Sequence, residues 1–269
     1  MPRPWLGRRR QKGLRVRALV HDPAKADRVR ELGADEAVAG DMRDRASIDA
    51  ALTGVDAVFH VTPAFAPDSA ELGVGMVEAA TAAGVDRFVF SGVYHASLSL
   101  VNHATMRPIE EALYRSGLGF TVLQPAMFMQ GLAGSWADAV EQGVFAMPYS
   151  KDSAMTFVDY RDVAEVAAIA FATDDLVGGT FELAAGGMFT LIEIAAMMSP
   201  HAGRPVVARD IEPDMALARL PAGEMRDGLS AMLADYTAHG FHGGNNLVLR
   251  SILARAPRTL DSYLGELAA

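Results

Sequence analysis

The residues of this sequence best suited to acid–base or metal chemistry are its histidines. His95 and His103 flank one short segment, and His239 and His242 are separated by a glycine and a phenylalanine. Because imidazole titrates near neutral pH, His95 or His103 could donate a proton, although loop histidines are usually solvated or hydrogen-bonded without a catalytic role. His239 and His242 come with no carboxylate or third ligand, so we predict that no metal is bound.

Two other kinds of chemistry are excluded by residue type. The sequence has no cysteine, which removes thiolate nucleophiles, disulfides and thiolate zinc sites together. It has no Gly-x-Ser-x-Gly segment, so hydrolysis by a serine nucleophile of that kind is not expected. Any reaction must therefore use hydroxyls, carboxylates, imidazoles, lysine or a bound cofactor.

The composition is that of a globular protein with an acidic body. The chain has 269 residues, of which 51% are hydrophobic and 21% charged, and its net charge is −9. The first 17 residues contain arginine and lysine but no acid, so the remainder is more acidic than the net charge indicates. An acidic surface disfavours nucleic acid, and no apolar run approaches the length of a membrane span. We expect a soluble, cytoplasmic protein that binds neither nucleic acid nor membrane.

The hydrophobic pattern predicts an α/β fold with a parallel sheet covered on both faces, because short apolar runs alternate with helical stretches. The predicted strands are 14–20, 36–39, 56–61, 87–91, 120–124, 154–158, 180–183 and 206–211. The predicted helices are 24–32, 47–52, 69–83, 104–115, 162–172 and 191–198, followed by a helical region after Pro213 and a glycine-rich break at 240–244. Gly73 and Gly75 fall inside a helix, so we expect them to serve close packing and not phosphate binding.

Several segments in a fixed order resemble the NmrA-like family of atypical short-chain dehydrogenases. They are RALVHDPAK (17–25), GD (40–41), DAVFHVTP (56–63), FVFSG (88–92), NHATMRPIE (102–110), LQPAMFMQ (123–130) and RSILARAPRT (250–259). The resemblance covers residues 13–265. It implies a Rossmann-type, doubly wound parallel sheet that binds NAD(P), with a smaller C-terminal αβ region for the substrate.

The beginning of the chain departs from this family. Its members open with a strand and a Gly-x-x-Gly-x-x-Gly turn, whose backbone N–H groups approach the pyrophosphate. Residues 1–12 contain two prolines and three consecutive arginines, which do not suit a buried central strand. We therefore expect the first strand to be missing or replaced, and cofactor binding to be impaired. The predicted division is a basic leader 1–12, a truncated dinucleotide-binding half 13–125 and a substrate-binding half 126–269.

The resemblance assigns the adenosine end of the cofactor to the first two predicted strands. His21 and Lys25 match the family's basic positions beside the ribose, which favours NADP, while the neighbouring Asp22 argues for NAD. Lys25 could equally be a solvated lysine of the first helical turn. Asp41 resembles the acid that contacts adenine, and its alternative role is a helix cap or an Asx turn.

The nicotinamide end is assigned to the next strands. Thr62 and Pro63 follow one strand and Ser91 ends the next, and ligands of open α/β sheets bind outside the carboxyl ends of strands. Phe128 and Gln130 align with the family's segment beside the nicotinamide, although residues of this segment could instead fill the core.

The resemblance leaves the catalytic residue unknown. Classical short-chain dehydrogenases use Tyr-x-x-x-Lys, and no tyrosine here is followed four residues later by lysine. The lysine that many NmrA-like enzymes carry in the following helix is replaced by Met106, whose thioether donates no proton. His95 and His103 remain candidates.

Three functions stay open at this point. The first is an NADPH-dependent reductase of a small carbonyl or quinone-like substrate. The second is a non-catalytic NAD(P) sensor that binds a partner protein, which the loss of the lysine at Met106 motivates. The third is a truncated, inactive product. The oligomeric state is not indicated by the sequence.

Overall fold

A computed structural model describes residues 15–269 of the chain. The basic leader 1–12 and the start of the first predicted strand, at Leu14, lie outside the described residues. Within 15–269, no helix is both long enough and apolar enough to cross a membrane.

The described chain alternates strands and helices over most of its length. The strands are β1 Arg17–Val20, β2 Glu36–Ala39, β3 Ala57–Val61, β4 Arg87–Ser91, β5 Gly119–Pro125, β6 Met127–Phe128, β7 Val144–Met147, β8 Phe157–Val158, β9 Thr180–Leu183 and β10 Val207–Asp210. The helices are α1 Ala26–Glu31, α2 Arg45–Leu52, α3 Ser69–Ala82, α4 Val101–Ala104, α5 Arg107–Ser116, α6 Trp136–Gln142, α7 Tyr160–Ala172, α8 Leu191–Ala202, α9 Pro213–Leu217, α10 Glu224–His239, α11 Leu247–Leu253 and α12 Leu260–Leu267. Two 3-10 segments, Pro23–Lys25 and Met129–Ser135, complete them.

All strand pairs of the described chain are parallel. The largest sheet has the order β3-β4-β5-β9, and β1 pairs with β2 in a separate two-stranded sheet. Two further pairs, β6 with β8 and β7 with β10, extend the C-terminal half. Parallel strands joined by helices confirm the predicted α/β class.

The central strands are buried on both faces, as expected for a doubly wound sheet. Phe88 and Phe90 of β4 pack in a core with α3 and α5, whereas Val89, which points the other way, packs in a core with α7 and α8. In β5, Val122 packs in the core with α3 and α5, and Leu123 packs in the core with α7 and α8. Successive side chains of a strand point to opposite faces, so the apolar runs 88–90 and 122–123 reflect helices on both sides.

β3 is the exception, because one of its faces is open. Val58 is buried with α3, but Phe59 and Val61 on the opposite face are 47% and 57% exposed. Within the described residues β3 is hydrogen-bonded only to β4, and β1 only to β2, so no described strand joins the two sheets. An exposed apolar face beside an unpaired edge is a place where a further strand and helix would fit.

Most predicted boundaries are confirmed by local chemistry. The Asp22 carboxylate accepts from the Ala24 N–H and Pro23 occupies the first turn, as predicted, although this turn is 3-10 and α1 begins only at Ala26. Gly33 ends the segment with φ +107°, a backbone conformation that favours glycine. Gly73 packs tightly, since a Cβ there would clash with Ile109, whereas Gly75 faces open space. The packing role is therefore confirmed for Gly73 alone.

Two predicted elements are wrong in extent. The helix predicted over 104–115 is a short turn, Val101–Ala104, followed by α5, because Pro108 fits only the first turn of a helix. The strand predicted over 154–158 is reduced to β8, since Met155 instead makes isolated bridges to Phe189 and Phe241. Helix α6 and strands β6 and β7 were not predicted, and helices α9 to α12 fall in the region after Pro213 that was predicted to be helical without bounds.

Candidate functional site

The candidate cofactor residues lie at the carboxyl ends of parallel strands. His21 follows β1, Asp41 follows β2 with one residue between, Thr62 follows β3, and Ser91 ends β4. A salt bridge joins two of these loops, because Arg43 Nε lies 2.7 Å from Asp68 Oδ2 at the start of α3. Ligands of open α/β sheets bind outside the carboxyl ends of strands, and these residues lie at that end; their contact with a cofactor stays a prediction.

Asp41 and His21 face each other across the ends of β1 and β2. His21 Nδ1 lies 3.9 Å from Asp41 Oδ2, and both side chains are accessible. The other carboxylate oxygen, Oδ1, accepts from the Arg43 N–H at 2.9 Å, which is the Asx turn given above as an alternative for Asp41. One oxygen of Asp41 is thus engaged by its own loop, and the second remains directed at His21.

Lys25 and Asp22 occupy the turn that leads into α1. Lys25 ends the 3-10 segment and its side chain is exposed, so it is accessible to a ligand at the end of β1. Asp22 caps this segment through its Oδ1 at 2.9 Å from the Ala24 nitrogen. The carboxylate that argued for NAD is therefore engaged by the backbone.

Thr62 is turned into the protein. Its hydroxyl lies 2.9 Å from His60 Nε2, and the residue is buried, whereas the next residue, Pro63, is exposed. His60 is buried among Phe88 and Phe90, and loss of solvation lowers the pKa of its imidazole to about 4, so the ring is neutral. Thr62 and Pro63 both lie at the strand end, and only Pro63 is accessible.

The residue after Ser91 lies beside the Glu110 carboxyl group, which the sequence did not single out. A Cβ built on the next residue, Gly92, would be 3.5 Å from Glu110 Oε1, and the same oxygen accepts from Gln124 Nε2 at 2.7 Å. Loss of solvation raises the pKa of the Glu110 carboxyl, partly opposed by the Gln124 hydrogen bond. Its only sequence signal is its place in the segment NHATMRPIE.

Phe128 and Gln130 follow β5 at the same edge. Phe128 is partly exposed and pairs with Val158, while Gln130 Oε1 accepts from the Tyr160 N–H at 3.1 Å at the start of α7. The Gln130 side chain also helps to lower the pKa of Asp159, where the Arg161 hydrogen bonds outweigh the effect of burial. Gln130 thus fixes the loop after β5, and its contact with a nicotinamide stays a prediction.

His95 is held in place through both ring nitrogens. Nδ1 lies 2.8 Å from Glu182 Oε1, and Nε2 lies 2.8 Å from the His242 carbonyl oxygen. The His95 N–H also donates to Glu182 Oε1, at 3.1 Å, and its φ of +55° is unusual for a residue with a side chain. The His242 carbonyl oxygen therefore connects the segment after β4, which contains His95, to the segment that contains His239 and His242. Among residues 15–269, no three His, Asp or Glu side chains are grouped to hold a metal.

His103 and Met106 are both buried. His103 Nδ1 lies 3.1 Å from the His95 carbonyl oxygen, and loss of solvation is the main cause that lowers the pKa of its ring. Met106 is packed in the core of α3 and α5, and Arg107 is exposed beside it. The position that resembles the family lysine is thus filled by a core side chain.

The described residues fit the adenosine end of a dinucleotide better than its phosphates. His21, Lys25 and Asp41 offer charged and polar groups for a ribose and an adenine. At the opposite end Phe128 is partly exposed, whereas Ser91 is buried. Within residues 15–269 no strand is followed by a glycine-rich turn and a helix N-terminus that would hold phosphates.

Comparisons with known proteins agree with this geometry. The model of the NmrA-like family matches residues 8–264. The chain is similar to an NAD(P)H azoreductase of Xenophilus azovorans, at 36% identity over 72% of this chain and 67% of that protein. It is 30% identical to quinone oxidoreductase 2 of Escherichia coli, over 93% and 88% of the two chains. A crystal structure of the NADPH-dependent quinone oxidoreductase of Escherichia coli with NADPH superimposes with a TM-score of 0.80, at 23% identity and 98% and 95% coverage.

Proposed function

The chain belongs to the NmrA-like family, and on that premise we propose that it is an NADPH-dependent reductase of quinone-like substrates. The observation that carries the proposal is that His21, Lys25, Asp41 and Ser91 lie at the carboxyl ends of parallel strands or in the turns that follow them, where His21 Nδ1 is 3.9 Å from Asp41 Oδ2. Two curated relatives at 30% identity or more are named as an azoreductase and a quinone oxidoreductase, which supports this reaction class.

NADP is the proposed cofactor, with NAD as a weaker ligand. Lys25 is exposed at the end of the turn after β1, and the Asp22 carboxylate is engaged as a helix cap. A cation near the ribose favours a 2′-phosphate, and an acid that is already hydrogen-bonded competes less well for the ribose hydroxyls.

In this proposal the chain binds and orients its ligands. A bound reduced nicotinamide supplies a hydride, and addition of that hydride and one proton converts a quinone into a hydroquinone. His21 and Lys25 hold the adenosine end, while Ser91, Phe128 and Gln130 border the nicotinamide end. Both ring nitrogens of His95 are engaged by protein acceptors, so we assign the proton to solvent.

We also propose that the chain as given binds its cofactor weakly. No phosphate cradle occurs among residues 15–269, and β3 presents an open face and an unpaired edge where one further strand would fit. Restoration of a strand and a Gly-x-x-Gly-x-x-Gly turn ahead of β1 is expected to increase the affinity for NADPH.

The test is loss of the reduced-nicotinamide absorbance in the presence of a panel of quinones. The chain as given and the restored version are assayed side by side with NADPH and with NADH. We expect the restored version to oxidise NADPH with at least one quinone. No oxidation with any member of a broad panel, although NADPH is bound, contradicts the reductase.

A redox sensor without turnover is the second candidate, and the buried Met106 favours it. A sensor of this kind binds NAD(P) without consuming it and changes its association with a partner protein. Light scattering with and without NADP separates the two functions, because only the sensor predicts a cofactor-dependent change in association state together with no turnover. A chain that binds no cofactor in either version is an inactive product.

A further inference from the structure

One edge of the two-stranded sheet formed by β7 and β10 is unpaired. Within residues 15–269, β10 is hydrogen-bonded to β7 and to no other strand. The N–H groups of Val207 and Ile211 donate to carbonyls of β7 and its preceding residue. Because the main-chain groups of successive strand residues point to opposite sides, those of Ala208 and Asp210 point away from β7, toward the open edge.

The opposite edge of this sheet, on β7, is covered. The Met147 carbonyl accepts from β10, so the carbonyl of the preceding residue, Ala146, points to the other side. There it accepts from the Ser135 hydroxyl at 3.3 Å, at the end of the 3-10 segment Met129–Ser135. The edge of β10 is therefore the open one, and an unpaired edge is a template for a further strand.

A groove of about 470 Å³ lies between the open edge of β10 and helix α8. Ile192, Ala196 and Ser199 of α8 line one side, and Val207 and Ala208 of β10 belong to the other. Residues spaced by three and four share one face of a helix, so the first three form a stripe along α8, the α8 stripe. Ile192 and Val207 are 49% and 59% exposed, which leaves apolar surface uncovered on both sides of the groove.

The free main-chain groups of the edge begin at Ala208. The Val206 N–H, which also points outward, donates to Ser199 Oγ at 3.0 Å, close to the turn that joins α8 and β10. Ala208 is partly exposed, and its neighbours Val207 and Arg209 are exposed. A strand that paired with Ala208 would therefore lie beside the α8 stripe and cover it.

The two ends of β10 carry opposite charges. Arg204 lies before the strand, whereas Asp210 ends it and Glu212 follows, and all three are exposed. Lys151 lies at the acidic end, with its Nζ 3.2 Å from Asp152 and 3.8 Å from Asp210, so that end stays net negative. Two such strands side by side and antiparallel place the positive start of each beside the acidic end of the other.

We propose that the open edge of β10 pairs with the same edge of a second copy of this chain, antiparallel about a twofold axis. This interface is isologous, since each copy contributes the same surface. The α8 stripes of the two copies then face each other on one side of a continuous sheet, where the small residues Ala196 and Ser199 allow a close approach. The inference does not depend on the proposed reductase function.

Charge also favours one register of the pairing. With the axis at Ala208, the two copies of Ala208 face each other and Arg204 of each copy lies opposite Glu212 of the other. With the axis at Arg209, two exposed arginines would face each other directly, which is unfavourable. The same charge pattern is the reason to prefer a second copy over a strand of another protein.

The first experiment measures the association state of the full chain by sedimentation equilibrium. Ala208→Pro removes an outward N–H and leaves the hydrogen bonds to β7, which come from its neighbours, in place. Ala196→Glu puts a charge into the α8 stripe, and Ala50→Glu, at an exposed position of α2, is its matched control. We expect a dimer for the unaltered chain and for Ala50→Glu. Ala208→Pro and Ala196→Glu should each raise the dimer dissociation constant by roughly tenfold or more.

The second experiment tests the register by exchange of charges. Arg204→Glu and Glu212→Arg should each weaken self-association by roughly tenfold, because like charges then face each other at both ends. An equimolar mixture of these two variants should dimerise again, since every pair across the axis is then opposite in charge. Arg204 Nη1 also donates to main-chain carbonyls of α6, so circular dichroism checks that each variant is folded.

Three results overturn the proposal. A monomer at every concentration would leave the edge to a strand of another protein. A dimer that Ala208→Pro and Ala196→Glu do not weaken would use another surface. Failure of the two folded charge variants to associate when mixed would exclude the antiparallel pairing with Ala208 at its axis, and this test holds even if Ala208→Pro does not fold.

Discussion

One carboxylate oxygen of Glu182 contacts His95 twice, although 87 residues separate them in the chain. Oε1 lies 2.8 Å from the imidazole Nδ1 and 3.1 Å from the main-chain nitrogen of His95. His95 has φ +55°, a conformation that costs free energy for any residue with a Cβ. Glu182, on β9, therefore holds the loop after β4 in a conformation that the loop does not favour on its own.

We expect Glu182→Ala to lower the free energy of unfolding by about 1–2 kcal/mol, because two hydrogen bonds to His95 are lost. Glu182→Gln retains an oxygen acceptor and should lose less than half as much. All variants are unfolded in urea, including His95→Ala and the double mutant Glu182→Ala/His95→Ala. The double-mutant cycle gives the coupling free energy between the two side chains. Additive effects of the two alanine substitutions would contradict a direct interaction.

Gly73 and Gly75 should respond in opposite directions to the same substitution. In Gly73→Ala the new methyl clashes with Ile109, so we expect a destabilisation of about 1–3 kcal/mol. Gly75 is in the same helix with nothing within 4 Å of its Cβ position, so Gly75→Ala should stabilise by up to about 1 kcal/mol. Thermal unfolding monitored by circular dichroism compares them, and equal effects would argue against the close approach of α3 to α5.

His60 should make the fold sensitive to mild acid. Its folded-state pKa is about 4, below the ordinary value of 6.5, so the unfolded chain takes up the proton first as pH falls. Stability present above pH 6.5 is then lost progressively down to about pH 4, by roughly 3 kcal/mol at most. Urea midpoints at several pH values measure this loss.

The variant His60→Gln isolates that titration, since an amide can still hydrogen-bond Thr62 but takes up no proton. Its stability should depend less on pH between 6.5 and 4 than that of the unaltered protein. His21→Gln, at an exposed position, is the matched control. An identical pH dependence in His60→Gln and the unaltered protein would show that His60 is not the group responsible.

Lys25 should discriminate between the two cofactors. If it faces the 2′-phosphate, Lys25→Ala weakens NADP by about fivefold, equivalent to ~1 kcal/mol, and changes NAD by less than twofold. Arg28→Ala, on α1 and paired with Glu31, is the control for a general loss of positive charge. Fluorescence titration measures the affinity of each variant for NADP and for NAD. Equal losses of affinity for the two nucleotides would show that Lys25 does not contact the 2′-phosphate.

The parts of the fold that the sequence predicted depend on local chemistry. β4 was predicted because its three central residues, 88–90, are apolar, and the segment after β1 because Asp22 caps it and Pro23 fits its first turn. α12 falls in the region after Pro213 that was predicted to be helical, but its bounds were not predicted, although Thr259 caps it by accepting from the Ser262 N–H.

The parts of the site that the sequence did not predict depend on contacts between distant segments. The order of the predicted strands shows which residues follow a strand. His21, Asp41 and Ser91 could therefore be placed at the carboxyl ends of strands. The contact of Glu182 with His95 joins residues 87 positions apart. Periodicity and turn residues carry no information about such a pair.

Calorimetric titration of NADP and NAD tests most directly whether a dinucleotide cleft is formed at these strand ends. It is applied to the chain as given and to the version with a strand and glycine-rich turn restored ahead of β1. We predict saturable binding by the restored version, tighter for NADP than for NAD, and much weaker binding by the chain as given. No binding of either nucleotide to a restored version that is folded would contradict the assignment.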